Sequence, residues 1–246
     1  MPIPGHPTAQ HTIRLLLLCL GMLLSLACGS ALAATKAPNG LDDPVSRFRD
    51  SLNRDEIAWL TAHPELRVGN GPDFQPFYAW KDTRYTGPSA DYLDLLSRRT
   101  GLRFRLQRFA DFPAVLNALQ RGEIDLIPTL TPTETRRKKF LFTGGYLHSP
   151  AVVVTRSGAS GLALPASFKG VRVAIEKGHA SRDVLQRSKP AATFIEFADT
   201  EAALRAVSTG EADAYVGMLA VAHYYIEQLA LANLQVRRRF HADLSA

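Results

Sequence analysis

Cysteine is nearly missing from this chain: two of 246 residues, Cys19 and Cys28, both near the amino terminus. Long apolar runs are missing too. The longest, Leu15 to Ala27, has 13 residues, against the roughly 20 that span a bilayer. The seven histidines show neither H-E-x-x-H nor H-x-x-E-H spacing, and no G-x-S-x-G elbow or phosphate-binding G-x-x-x-x-G-K-[ST] loop is present. These gaps argue against zinc-protease, serine-hydrolase and nucleotide-hydrolysing chemistry. No cofactor is expected, and no catalytic or metal-ligating set can be named.

What is present begins with an export signal. Arg14 is the only full charge before Lys36, the apolar run follows it, and Ala31-Leu32-Ala33 supplies the small-x-small pattern of a cleavage site. That is the three-part design of a secretory signal peptide, expected over residues 1–34; an uncleaved membrane anchor is the rival reading. Cleavage removes both cysteines, which excludes disulfides and a cysteine nucleophile. The mature chain then depends on its apolar core, in the periplasm. Twenty-eight basic residues (29 less Arg14) face 23 acidic ones. Export argues against a nucleic-acid partner, and the mild positive excess favours an anionic ligand. The basic residues gather only at Arg136 to Lys139 and Arg237 to Arg239.

Residues 35–52 are polar and rich in Pro, Gly and Asp, and read as a flexible lead-in. A short helix is expected over 53–61, ended by His63-Pro64. From there strand and helix signals alternate: strands at 66–69, 102–109 and 124–128 with helices at 90–100 and 112–121. The pattern restarts after residue 150 with strands at 151–155, 171–175, 193–197, 213–217 and 234–238. Helices fall at 180–187, 200–208 and 219–229. Such alternation predicts βαβ units on parallel sheets. One echo links the two stretches. Gly122-Glu123-Ile124-Asp125 and Gly210-Glu211-Ala212-Asp213 each follow a helix end and precede a strand. A tight turn explains the glycines but not the shared Glu-x-Asp, which points to two lobes of similar build.

Thr129-Leu130-Thr131-Pro132-Thr133-Glu134-Thr135-Arg136, followed by Phe142-Thr143-Gly144-Gly145-Tyr146, resembles the signature of family 3 periplasmic solute-binding proteins. Gly145 stands where that signature commonly has proline. The resemblance runs from about Leu66 to Phe240. It implies an α/β, two-lobed Venus-flytrap fold with a parallel-type sheet in each lobe and the ligand in the cleft. The implied organisation is lead-in and short helix 35–65, lobe 1 over 66–148, lobe 2 over 149–233, and a return strand over 234–246. The first lobe then lacks the closing stretch that the family normally adds after the return strand. The opening segment Glu56-x-x-Trp59-Leu60-x-x-His63-Pro64, together with Asp91 to Leu96 and Asp213 to Gly217, is similar to flytrap domains of hybrid sensor kinases. A ligand-sensing module is therefore the leading expectation, partnered by a membrane sensor kinase. The alternatives are a free receptor for an ABC permease and a dehydratase-like enzyme on the same fold.

Residue by residue, the resemblance gives Arg136 the ligand's carboxylate, whose two oxygens match the planar fork of a guanidinium. Thr131 and Thr129 line the cleft, and Phe74 lies against the ligand's apolar part. His179 and Ser181 sit in a strand-to-helix turn, where free amides attract anions; capping is their ordinary alternative role. The family holds an α-amino group with an aspartate five residues beyond the position of Asp213. Here that place is Met218, which cannot pair with an ammonium. The expected ligand is thus small and anionic or zwitterionic, with a carboxylate lacking the amine gaining weight.

Overall fold

The computed structural model describes residues 43–158 and 168–243. The signal peptide expected over 1–34 lies outside them. Two compact units form, one gathering residues 43–66, 92–105 and 141–144, the other 67–91, 106–140, 145–158 and 168–243.

In the first unit, helices α1 (Pro44–Asp50) and α2 (Arg54–Ala62) lie in sequence. Helix α1 departs from the flexible lead-in expected over 35–52. Asp43 accepts from the amides of Val45 and Ser46, and Pro44 occupies the first turn, where its missing N–H costs nothing. Phe48 and Leu52 are buried against Trp59 and Leu60 of α2. Helix α2 starts with a capping box: Asn53 Oδ1 accepts from the Glu56 amide and Glu56 Oε2 from the Asn53 amide, both at 2.9 Å. Strand β1 (Glu65–Asn70) follows, most of it counted in the second unit, and its hydrogen-bonded partner is β4 (Arg103–Arg108).

In the second unit, β2 (Ala79–Lys81) and β3 (Arg84–Thr86) make a small antiparallel hairpin that the alternation pattern did not reveal. Helix α3 (Pro88–Thr100) begins here and continues from residue 92 in the first unit, and α4 (Phe112–Gln120) covers Val115, Ala118 and Ile124 with Phe109 and Ile127. The strand expected over 124–128 reduces to one parallel bridge, Val68 with Leu126. A single turn, α5 (Glu134–Arg137), is capped by Thr133.

The larger part of this unit is a five-stranded sheet in the order β7-β6-β8-β5-β9. Its strands are β5 (Pro150–Arg156), β6 (Arg172–Glu176), β7 (Thr193–Phe197), β8 (Ala214–Met218) and β9 (Leu234–Asp243). The expected parallel arrangement holds for β7, β6 and β8; β5 runs antiparallel to both β8 and β9, so the sheet is mixed. Helix α6 (Ala180–Ser188) covers one face, while α7 (Thr200–Thr209) and α8 (Leu219–Gln228) cover the other. Alternate residues therefore enter different cores. Val152, Val154, Ala174 and Tyr215 pack with α7 and α8, whereas Val153, Val173, Ile175, Ala214 and Val216 pack with Phe168 and Leu185. Because both faces are covered, these strands read as continuous apolar runs.

The Gly-Glu-x-Asp echo has a shared structural cause. Arg67, at the start of β1, donates its backbone amide and side chain to Asp125 and Nη2–H to the Gly122 carbonyl. Arg172, at the start of β6, does the same with Asp213 and Gly210. In each case the aspartate fastens the next strand of its sheet to the turn. Among the described residues no helix is long and apolar enough to cross a membrane.

Candidate ligand-binding site

A cavity opens in the second unit where the carboxyl ends of β6 and β8 meet the segments after β1 and before α5. Its walls are Pro72, Asp73, Phe74, Tyr78, Phe112, Thr129, Thr131, Arg136, Glu176, Lys177, His179, Ala198, Asp199, Thr200 and Met218. About 60 Å³ is open to the centre of a water-sized sphere, where one water needs roughly 10–15 Å³ by that measure. The space suits a molecule of a few heavy atoms. Ligands of open α/β sheets bind beyond the carboxyl ends of the strands, and the cavity occupies that position.

Arg136 is the positive wall. The Thr133 cap turns the backbone so that the guanidinium points inward, and the residue is 7% exposed. Nη1–H donates to the Thr131 carbonyl at 2.9 Å and Nη2–H to the Gly178 carbonyl at 2.8 Å. The group also lies over the Phe112 ring, 5.6 Å from its centre. Burial lowers its pKa to about 10, with Asp183 opposing the shift, so the guanidinium stays charged at neutral pH. A guanidinium has five N–H donors. Two are used in these bonds, and the side chain forms part of the cavity wall.

Opposite in charge is Glu176, at the end of β6 and 7% exposed. Its Oε1 accepts from Thr200 Oγ1 at 2.7 Å and from the Tyr215 hydroxyl at 2.8 Å. Burial, then the adjacent Glu176, pushes the Tyr215 pKa well above its ordinary value, which keeps the phenol a donor. Glu176 Oε2 is buried and takes no hydrogen bond from any described residue. His179 Nδ1 is 3.8 Å from it, beyond hydrogen-bonding distance.

His179 caps α6 and pairs with Ser181, Nδ1 to Oγ at 3.0 Å. Its pKa is lowered, first by burial and then by Arg136, with Glu176 opposing. Phe74 lies 5.7 Å from the His179 ring and 5.9 Å from Phe77. Thr129 is held by Ser89 Oγ at 2.7 Å, beside Tyr146, whose hydroxyl donates to the Pro128 carbonyl.

Six of the seven positions named from the sequence thus border one cavity: Arg136, Thr131, Thr129, Phe74, His179 and Met218. Ser181 does not. It is 1% exposed and stands one step behind, against His179. Sequence reasoning missed Glu176, Thr200 and Asp199. Glu176 lies in the very turn that pointed to His179, but its inward direction depends on strand register. Among the described residues no group of three His, Cys, Asp or Glu side chains could hold a metal ion.

An α/β fold with a charged, small-molecule-sized cavity at its strand ends points to a class: solute-binding domains of the Venus-flytrap type. Residues 66–206 match the profile of the bacterial extracellular solute-binding proteins, family 3, and the chain belongs to that family. It is 31% identical over 187 residues to the virulence sensor protein BvgS of Bordetella bronchiseptica, covering 76% of this chain and 15% of that protein. It is 26% identical over 200 residues to the sensor protein EvgS of Escherichia coli O157:H7, covering 78% of this chain and 16% of that protein. Among solved structures, the periplasmic VFT2 domain of Bordetella pertussis BvgS superposes with a TM-score of 0.69 at 27% identity, covering 78% of this chain and 83% of that one. The chain therefore spans about 15% of the length of these sensor proteins.

Proposed function

We propose that this chain is a periplasmic ligand-sensing domain of a membrane signalling receptor, and that its cavity holds a small carboxylate against Arg136. The single observation that carries the site is a buried, charged guanidinium in the wall of a cavity at the strand ends. The sensor role is supported by similarity to BvgS and EvgS, both named as sensors. The organisation into lobes over 66–148 and 149–233 belongs to the same proposal. Contacts that join these two stretches within the second unit support it: Arg136 to the Gly178 carbonyl, and Thr133 Oγ1 to Asp183 at 3.0 Å. A ligand held between them alters these contacts, and that alteration is the signal.

The test is a thermal-shift panel of small carboxylates and amino acids, followed by calorimetry on those that bind. A ligand at 100 times its Kd adds about 2.7 kcal/mol, which raises Tm by roughly 5–10 °C for a chain of this size. Arg136→Ala should weaken that ligand about 30-fold or more, since an unpaired charge costs about 2–5 kcal/mol in such sites. Unchanged affinity in Arg136→Ala would overturn the site. The sensor role is tested in the gene beyond codon 246: a membrane span and kinase domain are expected, and a stop codon followed by permease genes would contradict it.

A further inference from the structure

The cavity has an acid that the family resemblance does not supply. Met218, at the end of β8, fills the place where an aspartate is expected to hold a ligand's amino group, and it offers only a thioether. Strand β8 lies next to β6 in parallel, with Ala174 opposite Tyr215, so both strands deliver their carboxyl ends to the same cavity. The end of β6 is Glu176.

Three facts make this carboxylate more than a structural acid. Its Oε1 is fixed by two donors, Thr200 and Tyr215, which hold the carboxyl group in place. Its Oε2 is buried and receives no hydrogen bond from the described residues, in a side chain that lines the cavity. The other cavity acids are engaged in local structure, since Asp73 accepts from the Trp80 amide and Asp199 from the Ala202 amide. A buried carboxylate oxygen left without a donor is costly, and at a pocket wall a bound polar group can supply the donor. Close approach protects the arrangement. A Cβ built on Gly217 would stand 2.0 Å from the Tyr215 hydroxyl, so glycine there lets the phenol reach Glu176.

We propose that Glu176 is the specificity-determining acid of this site, its free Oε2 receiving the ligand's ammonium group while Arg136 takes the carboxylate. The ligand is then an amine-bearing carboxylate despite Met218. This inference rests on the reading of the cavity as a ligand site.

The experiment is calorimetry on matched pairs that differ by one amino group: L-alanine with propionate, L-leucine with 4-methylpentanoate, L-glutamate with glutarate. The wild-type protein should bind the amino member of at least one pair about 10- to 100-fold more tightly, the range for a hydrogen bond to a charged group. Glu176→Gln should bring the two members of that pair within about threefold by weakening the amino member alone, and Glu176→Asp, which keeps the charge but shortens its reach, should fall between. Equal or tighter binding of the des-amino members by wild-type protein overturns the inference without any variant. So does an amino preference that persists in Glu176→Gln. If no member of any pair, nor any compound of the wider carboxylate panel, binds wild-type protein, the reading of the cavity falls and this inference with it.

Discussion

Asp213 receives three N–H groups of Arg172 and sits behind Gly210, and that bonding holds its carboxyl below the usual carboxylate range. A depressed folded pKa contributes stability that is present above the unfolded value, near 4, and lost as pH falls through the folded value. Asp213→Asn should therefore lower Tm at neutral pH by roughly 3–10 °C, corresponding to about 1–3 kcal/mol. The difference from wild type should shrink below pH 4 in a series of thermal melts. His179 titrates in a higher window. It is a base whose folded pKa is lowered by burial and by Arg136, against Glu176, so the folded state disfavours its proton. Its contribution is intact above about 6.5 and is lost as pH falls below that value toward the folded pKa. Wild-type Tm should thus drop between pH 7 and pH 5. His179→Gln should drop less; an equal drop would remove His179 as the cause.

Helix α7 shows how an element can be legible in part. Its start at Asp199, whose side chain accepts from the Ala202 amide at 2.8 Å, and its end at Gly210, with φ at +92°, are both written in residue type. A Cβ on Gly210 would meet only ordinary contact with Arg156 at 3.7 Å, so Gly210→Ala carries mainly the left-handed backbone cost. About 1 kcal/mol is expected, seen as a Tm loss of roughly 2–4 °C. The apolar runs of β5, β6 and β8 were equally readable, because burial on both faces removes alternation. Other elements left weaker marks. The β2–β3 hairpin has three residues a side and no Asn-Gly turn, while the expected strand at 124–128 gains only one bridge, to Val68 of β1. The mixed direction of the sheet was hidden as well: β5 enters antiparallel to both of its neighbours, β8 and β9, through connections that no local pattern encodes. In the site, Arg136 and the threonines were readable from a motif. Glu176 and Thr200 were not, since their meeting depends on β6 and α7 being brought together by the sheet.

At the scale of the molecule, the exposed pair Arg187–Glu134, 2.9 Å apart with side chains 48% and 78% exposed, joins the same two stretches as the buried Arg136–Gly178 bond. Water screens such a pair, so Glu134→Gln should move Tm by no more than about 2 °C and leave ligand affinity within about twofold. A larger loss would mean that surface charge, rather than the cavity, holds these stretches together. A ligand held as proposed, on Arg136 and Glu176, would touch both stretches at once, beside the buried Arg136–Gly178 bond. The most direct test is a crystal structure with the carboxylate that gives the largest thermal shift. That ligand should lie inside the cavity with its carboxylate oxygens about 3 Å from the Arg136 guanidinium. A ligand bound elsewhere, or in the cavity with its carboxylate turned away from Arg136, would contradict it.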